Sequence, residues 1–107
     1  MRTIIYPVKD IARARTLYSK LSGVEPYVDE PYYVGFRVGD QEIGLDPHGH
    51  RHGVTGYWHV DDVRKSHQLL LAAGAETLQD VKDVGGGKLT AVVRDADGNI
   101  IGLTQSP

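Results

Sequence analysis

Cysteine is absent from the 107 residues. That excludes disulfide scaffolds, thiolate zinc sites and cysteine nucleophiles together. Long apolar runs are also missing. The longest, Leu69 to Ala73, is far too short to span a bilayer, and the N-terminus lacks the charged-then-apolar layout of a signal peptide. No membrane contact and a cytoplasmic location are therefore expected. Nor is charge of one sign in excess: 12 Lys and Arg stand against 14 Asp and Glu, for a formal net charge of −2. Arg13, Arg15, Arg64 and Lys65 form no basic stripe with interleaved aromatics, so nucleic acid is not an expected partner. What remains is an ordinary balance of 40% hydrophobic and 24% charged residues, suited to one globular domain over 1–107 with a core of its own.

Two residue types are in surplus: 13 glycines, and 5 histidines of which His48, His50 and His52 crowd together. The glycines punctuate a repeat. Thr3-Ile4-Ile5-Tyr6-Pro7-Val8-Lys9-Asp10-Ile11 aligns with Thr55-Gly56-Tyr57-Trp58-His59-Val60-Asp61-Asp62-Val63, displaced by 52 positions. Each segment is strand-like and runs into an Asp that can cap a helix. The periodicity predicts a helix over 11–22, with Ile11, Ala14, Leu17, Tyr18 and Leu21 on its buried face and Gly23 as terminator. A second is predicted over 63–73, with Val63, His67, Leu70 and Leu71 inward and Gly74 as terminator. Strands are then expected over 24–28, 32–38 and 41–45, and over 76–84, 88–94 and 99–104, separated by turn-forming residues. The reading is α+β: two βαβββ modules, 1–45 and 53–105, with a Gly- and His-rich linker over 47–53.

Paired βαβββ modules of this kind resemble the vicinal oxygen chelate superfamily of glyoxalases, bleomycin-resistance proteins and extradiol dioxygenases. The resemblance rests on Val8-Lys9-Asp10-Ile11-Ala12-Arg13-Ala14-Arg15 with Leu17, Tyr18, Leu21 and Gly23, on the echo Val60-Asp61-Asp62-Val63, and on the turn Asp95-Ala96-Asp97-Gly98-Asn99. It covers nearly the whole chain. It implies a curved mixed sheet enclosing a cavity, with the helices outside, and a homodimer.

In the superfamily's enzymes a divalent metal is held by a His or Gln seven residues before each capping Asp and by a Glu in the last strand of each module. Here those positions are Thr3, Thr55, Gly44 and Gly102, none of them a good ligand. Glu42 and His59 share faces with these positions, but sheet geometry sets them about 7 Å and 13 Å away. The expectation is therefore no metal and no cofactor.

Strand alternation then assigns the cavity lining implied by the resemblance: Thr3, Ile5, Thr55, Tyr57, His59, Ile100, Gly102 and Thr104, with Gly44 and Asp46 or Glu42. Ile4, Tyr6, Trp58 and Val60 are expected beneath the helices. Such a lining suits an apolar or aromatic organic ligand held by stacking and a few hydrogen bonds. The first functional reading is a metal-independent small-molecule-binding protein. The alternative is a lyase, isomerase or dioxygenase-like enzyme using His59, Asp46 or Glu42 in acid–base chemistry, or a relocated metal site.

The three linker histidines invite a metal reading, but nothing in the sequence fixes their geometry, and a solvated linker is expected. Gly85-Gly86-Gly87-Lys88-Leu89-Thr90 lacks both the spacing and the following helix of a phosphate loop. Asp95 to Asn99 lacks the calcium loop's twelfth-position Glu and reads as a hairpin turn.

Overall fold

In the computed structural model, residues 2–48 and 53–107 are described. The chain divides into two compact units, Met1–Thr55 and Gly56–Pro107. The first contains β1 (Arg2–Pro7), α1 (Ile11–Ser22), β2 (Val28–Glu30), β3 (Tyr33–Val38) and β4 (Gln41–Asp46). The second is built from β5 (Thr55–His59), α2 (Val63–Ala72), β6 (Glu76–Asp83), β7 (Leu89–Arg94) and β8 (Ile100–Gln105). The fold is α+β with two βαβββ modules, as the repeat predicts.

Within the first module the strands lie in the order β2-β3-β4-β1. The β2–β3 and β3–β4 pairs are antiparallel, and β1 closes the row by running parallel to β4. The helix between β1 and β2 makes that parallel return possible. The second module repeats the pattern as β6-β7-β8-β5, with β5 parallel to β8.

Local chemistry sets the helix ends. Asp10 accepts a hydrogen bond from the Arg13 N–H at 3.1 Å and Asp62 one from Lys65 N–H at 3.1 Å, each capping an orphan donor of the first turn. Gly23 stops α1 with φ +76°, a left-handed conformation that glycine adopts without a Cβ penalty. The second helix has an extra tether: Val63 N–H donates to Gln105 Oε1 at 2.8 Å, tying its first turn to the end of β8.

Each module has its own core on the helix side of its strands. In the first, Val34, Phe36 and Leu45 are buried and receive Tyr6, Val8, Ile11, Ala14, Tyr18 and Ile43. The second gathers Val63, Ala91 and Leu103, with Val60, Leu70, Val81, Leu89 and Ile101 around them. His67, also buried, meets Thr77 Oγ1 at 2.9 Å through Nε2 and is a satisfied core histidine.

Three sequence expectations are corrected. The strand expected over 24–28 forms at Val28–Glu30 instead. Pro26 lacks the N–H that a ladder needs, and pairing begins only where Tyr27 N–H reaches Gly35 O at 2.9 Å. Arg15 holds the displaced segment, bonding Asp29 at 2.8 Å. Leu17 and Leu21 were expected to be buried but are 62% and 78% exposed. Trp58 lies on the α2 side as expected but is half-exposed rather than covered, lining an apolar groove of about 380 Å³ with Leu69 and Leu70 of the helix and Leu103.

The turns conform. Gly85, Gly86 and Gly87 all have positive φ (125°, 63° and 85°), so this hairpin cannot be made with side chains. In the Asp95–Asn99 turn, the Asn99 backbone and side-chain N–H groups, with the Asp97 N–H, converge on the Asp95 carboxylate. Those bonds hold its pKa below the ordinary value. The loop's acceptor is spent on its own backbone, as a hairpin turn requires.

Candidate functional site

The face of each module turned away from its helix carries the residues assigned to the ligand. In the first, β1–β4 register pairs Thr3 with Glu42, Ile5 with Gly44 and Pro7 with Asp46. The β3–β4 ladder adds Arg37 beside Glu42 and Gly35 beside Gly44. Partners in register point to one side of a sheet, so Thr3, Ile5, Glu42, Gly44 and Asp46 share this face. In the second module, Tyr57 pairs with Gly102 and His59 with Thr104, while alternation sets Thr55 and Ile100 on the same face. The structure thus brings Thr3 and Ile5 together in one module, and the other six sequence-assigned residues together in the other.

The glycines at the family's carboxylate positions are not open gaps. A Cβ on Gly102 would stand 2.6 to 2.8 Å from Tyr57 Cδ2, Cγ and Cε2. A Cβ on Gly44 would meet Tyr33 Oη, Ile5 Cδ1 at 2.6 Å and Tyr33 Cε1 at 2.8 Å. Each glycine is covered by a tyrosine ring, from the antiparallel neighbour β3 over Gly44 and from the parallel neighbour β5 over Gly102. With Thr3 and Thr55 at the other two positions, the residues present do not fit a divalent metal, which needs imidazole, thiolate or carboxylate donors. Among the described residues, no group of three or more His, Cys, Asp or Glu is placed to hold a metal ion. Of the linker histidines, His50 and His52 lie outside the described residues. His48 is exposed, and its N–H donates to Asp46 Oδ1 at 2.7 Å.

Around Gly44 the covering ring is part of a polar cluster. Tyr33 donates its hydroxyl to Glu42 Oε2 at 2.6 Å. Arg37 lies over the Tyr27 ring, Cζ 4.1 Å from its centroid, a favourable cation–π arrangement. Burial pushes the Tyr27 hydroxyl up to about 12, helped by hydrogen bonding to Glu42 and by its charge, against an opposing pull from Arg37. Tyr33 is raised further for the same leading reasons, burial and then Glu42.

A raised tyrosine pKa means that the folded state holds its proton more tightly than the unfolded one. The associated stability is fully present below the unfolded value of about 10 and is lost as pH rises through the folded values. Ultraviolet titration of tyrosinate should therefore show Tyr27 and Tyr33 ionising late, with stability falling from about pH 10 upward. Glu42→Gln should bring both titrations earlier. Unchanged titration in that variant would mean that Glu42 does not set them.

The face of the second module carries hydroxyl and amide groups where the first carries Glu42, Asp46 and Arg37. Thr90 pairs with Thr104, Val92 with Gly102, and Gln79 Nε2 donates to Thr90 Oγ1 at 3.0 Å. Thr55 is buried and bonds Gly53 O at 3.2 Å. Thr104 is 3% exposed, and its buried Oγ1 has no hydrogen-bond partner among the described residues.

Sequence reasoning missed Tyr27, Tyr33 and Arg37 in the first module and Gln79, Thr90 and Val92 in the second. A signal was available for two of them. The Gly39-Asp40 turn, with Gly39 at φ +62°, is a two-residue hairpin loop that pairs Val38 with Gln41. Counting outward from that pair gives Arg37 opposite Glu42 and places Tyr33 on the same face.

Comparison with known proteins agrees with this architecture. The family model described as the Glyoxalase/Bleomycin resistance protein/Dioxygenase superfamily matches residues 2–103. No curated protein matches the sequence. Among solved structures, the chain is similar to one described as an NAD-dependent benzaldehyde dehydrogenase from Legionella pneumophila (TM-score 0.83, 17% identity, 100% of both chains covered). It is also similar to a glyoxalase/bleomycin resistance protein/dioxygenase superfamily member from Vibrio splendidus 12B01 (TM-score 0.74, 17% identity, 99% of this chain and 98% of that one). A hypothetical protein from Bacillus halodurans C-125 gives a TM-score of 0.75 at 14% identity, over 98% of this chain and 92% of the other. At such identities the likeness concerns the fold alone. From the match over residues 2–103, the chain belongs to the glyoxalase/bleomycin resistance protein/dioxygenase superfamily.

Proposed function

We propose that this chain is a metal-independent small-molecule-binding protein of the glyoxalase/bleomycin-resistance type, taking an apolar or aromatic organic ligand. One observation carries the reading: Gly44 and Gly102, at the family's two metal-carboxylate positions, are each covered by a tyrosine ring, Tyr33 and Tyr57. An acidic side chain at either position would have to displace aromatic surface. What the two faces offer is the reverse of a Lewis-acid centre. Tyrosine rings give stacking surface, Ile5, Ile100 and Val92 give apolar contact, and threonine hydroxyls give a few directional bonds.

The test is thermal unfolding of the untagged full chain against planar aromatic compounds, with zinc or manganese added and with a chelator. A ligand at a hundredfold its Kd should raise Tm by about 10 °C, with or without chelator. Stoichiometric divalent metal, lost on chelation together with an enzymatic activity, would sink the proposal.

The alternative, acid–base catalysis through His59, has one observation in its favour: His59 pairs in register with Thr104, whose buried hydroxyl has no partner among the described residues. A His59→Ala variant that abolishes turnover while keeping ligand affinity would establish it.

A further inference from the structure

Gly35 and Gly44 face each other across the β3–β4 ladder and leave a strip of bare backbone. Two rings lie on it. A Cβ on Gly35 would stand 3.0 Å from Tyr27 Cε1 and 3.0 Å from Tyr33 Cε2, while the far edge of the Tyr33 ring covers Gly44. Tyr33 thereby delivers its hydroxyl to the half-buried Glu42 at 2.6 Å. The result is a carboxylate tied to a tyrosine hydroxyl beside two aromatic rings.

The hydrogen-bond inventory of this group decides what it can bind. An ionised carboxylate is an acceptor only, with about four lone-pair sites, of which the Tyr33 and Tyr27 hydroxyls take two and leave the rest for a ligand. Both tyrosines keep their protons to strongly alkaline pH, through burial first and Glu42 second. Towards a ligand, Glu42 therefore offers acceptors and negative charge, and the rings offer the electron-rich faces that attract cations. A flat cation already shows this preference, because the exposed Arg37 guanidinium is stacked on Tyr27 at 4.1 Å. Exposed cation–π contacts are weak, so Arg37 can be displaced.

We infer that the cluster of Tyr27, Tyr33 and Glu42 binds the cationic, N–H-bearing end of a flat organic ligand, such as an aryl amidine or a protonated aminoheterocycle. Glu42 accepts the ligand's N–H groups, Tyr33 and Tyr27 stack against its ring, and Arg37 gives way to it. This rests on the small-molecule-binding reading above and names the chemical class that the first module selects.

The experiment titrates benzamidine, neutral benzamide and anionic benzoate into the full chain, following the Tyr27 and Tyr33 ring signals by NMR. Benzamidine should bind about tenfold tighter than either of the others. Glu42→Gln keeps an acceptor for Tyr33, so the cluster stays assembled. It should abolish the benzamidine advantage while leaving benzamide unchanged. Arg37→Gln, which clears the Tyr27 face, should tighten benzamidine.

Equal binding of benzamidine and benzamide would overturn the charge preference while leaving aromatic binding intact. Benzoate binding tightest would make Arg37 the anchor and overturn the assignment to Glu42. Weaker benzamidine binding in Arg37→Gln would overturn displacement. Failure of all three compounds to shift these ring signals, while a planar aromatic still raises Tm, would remove this inference and leave the broader reading standing.

Discussion

Replacing Gly102 by glutamate, which writes the superfamily's acidic residue back into the last strand, is expected to destabilise the protein and to create no metal site. The reason is steric first. A Cβ there meets Tyr57 Cγ at 2.7 Å. That atom is the root of the ring, so the whole side chain must swing about χ1 to make room. Gly102 is buried and flanked in register by Tyr57 and by Val92, itself 3% exposed. Gly102→Ala alone should cost about 1–3 kcal/mol through overpacking. Gly102→Glu should cost several kcal/mol, because a carboxylate is also desolvated. Chemical denaturation measures both, and calorimetric titration with zinc or manganese checks for a metal.

Gly44 offers a contrast. The atoms its Cβ would meet, Tyr33 Oη and Cε1 and Ile5 Cδ1, are outer ends of side chains that can turn aside. Gly44→Ala should therefore cost less stability than Gly102→Ala, but should part Tyr33 from Glu42. A double-mutant cycle of Gly102→Ala with Tyr57→Ala isolates the ring contact, and a coupling above about 1 kcal/mol is expected. A Gly102→Glu protein of unchanged stability that binds stoichiometric metal would show that Tyr57 is no barrier.

Truncating Phe36 to alanine is expected to cost about 3–5 kcal/mol, a large share of the roughly 5–15 kcal/mol that holds a typical domain folded. Phe36 is fully buried among Val34, Leu45, Tyr6 and Tyr18. It also borders a helix-side groove of about 260 Å³, so the vacated space merges with an existing opening and water can enter it. At a slope of about 1–3 kcal/mol per molar urea, the midpoint should fall by about 2 M. Leu21, which lines the same groove but is 78% exposed, is the control, with Leu21→Ala within about 0.5 kcal/mol of wild type. Because Phe36 sits between Gly35 and Arg37, its loss should also loosen the shelf that carries Tyr27 and Tyr33. Equal effects from the two truncations would refute the assignment of the core.

Most of the architecture was legible because it rests on local rules. Asp10 and Gly23 bracket α1 as capping chemistry requires, and the offset repeat predicted the second module from the first. The hydrophobic pattern of α1 was legible only in part. Ile11, Ala14 and Tyr18 lie along one stripe, whereas Leu17 lies about 90° around the helix from its centre. Periodicity gives the direction of a buried face, and the width of the opposing sheet decides how much of it is covered.

By itself the sequence determined that the two carboxylate positions are glycines, since that follows from counting along an aligned repeat. Only the tertiary structure decided what covers them. A glycine has no side chain to specify its own surroundings, so the space above it is filled from elsewhere: by Tyr33 in the neighbouring strand over Gly44, and by Tyr57 of the parallel strand over Gly102. Register across strands, rather than spacing along one, sets those partnerships. It also joins Tyr33 to Glu42 and makes the bare positions an aromatic surface.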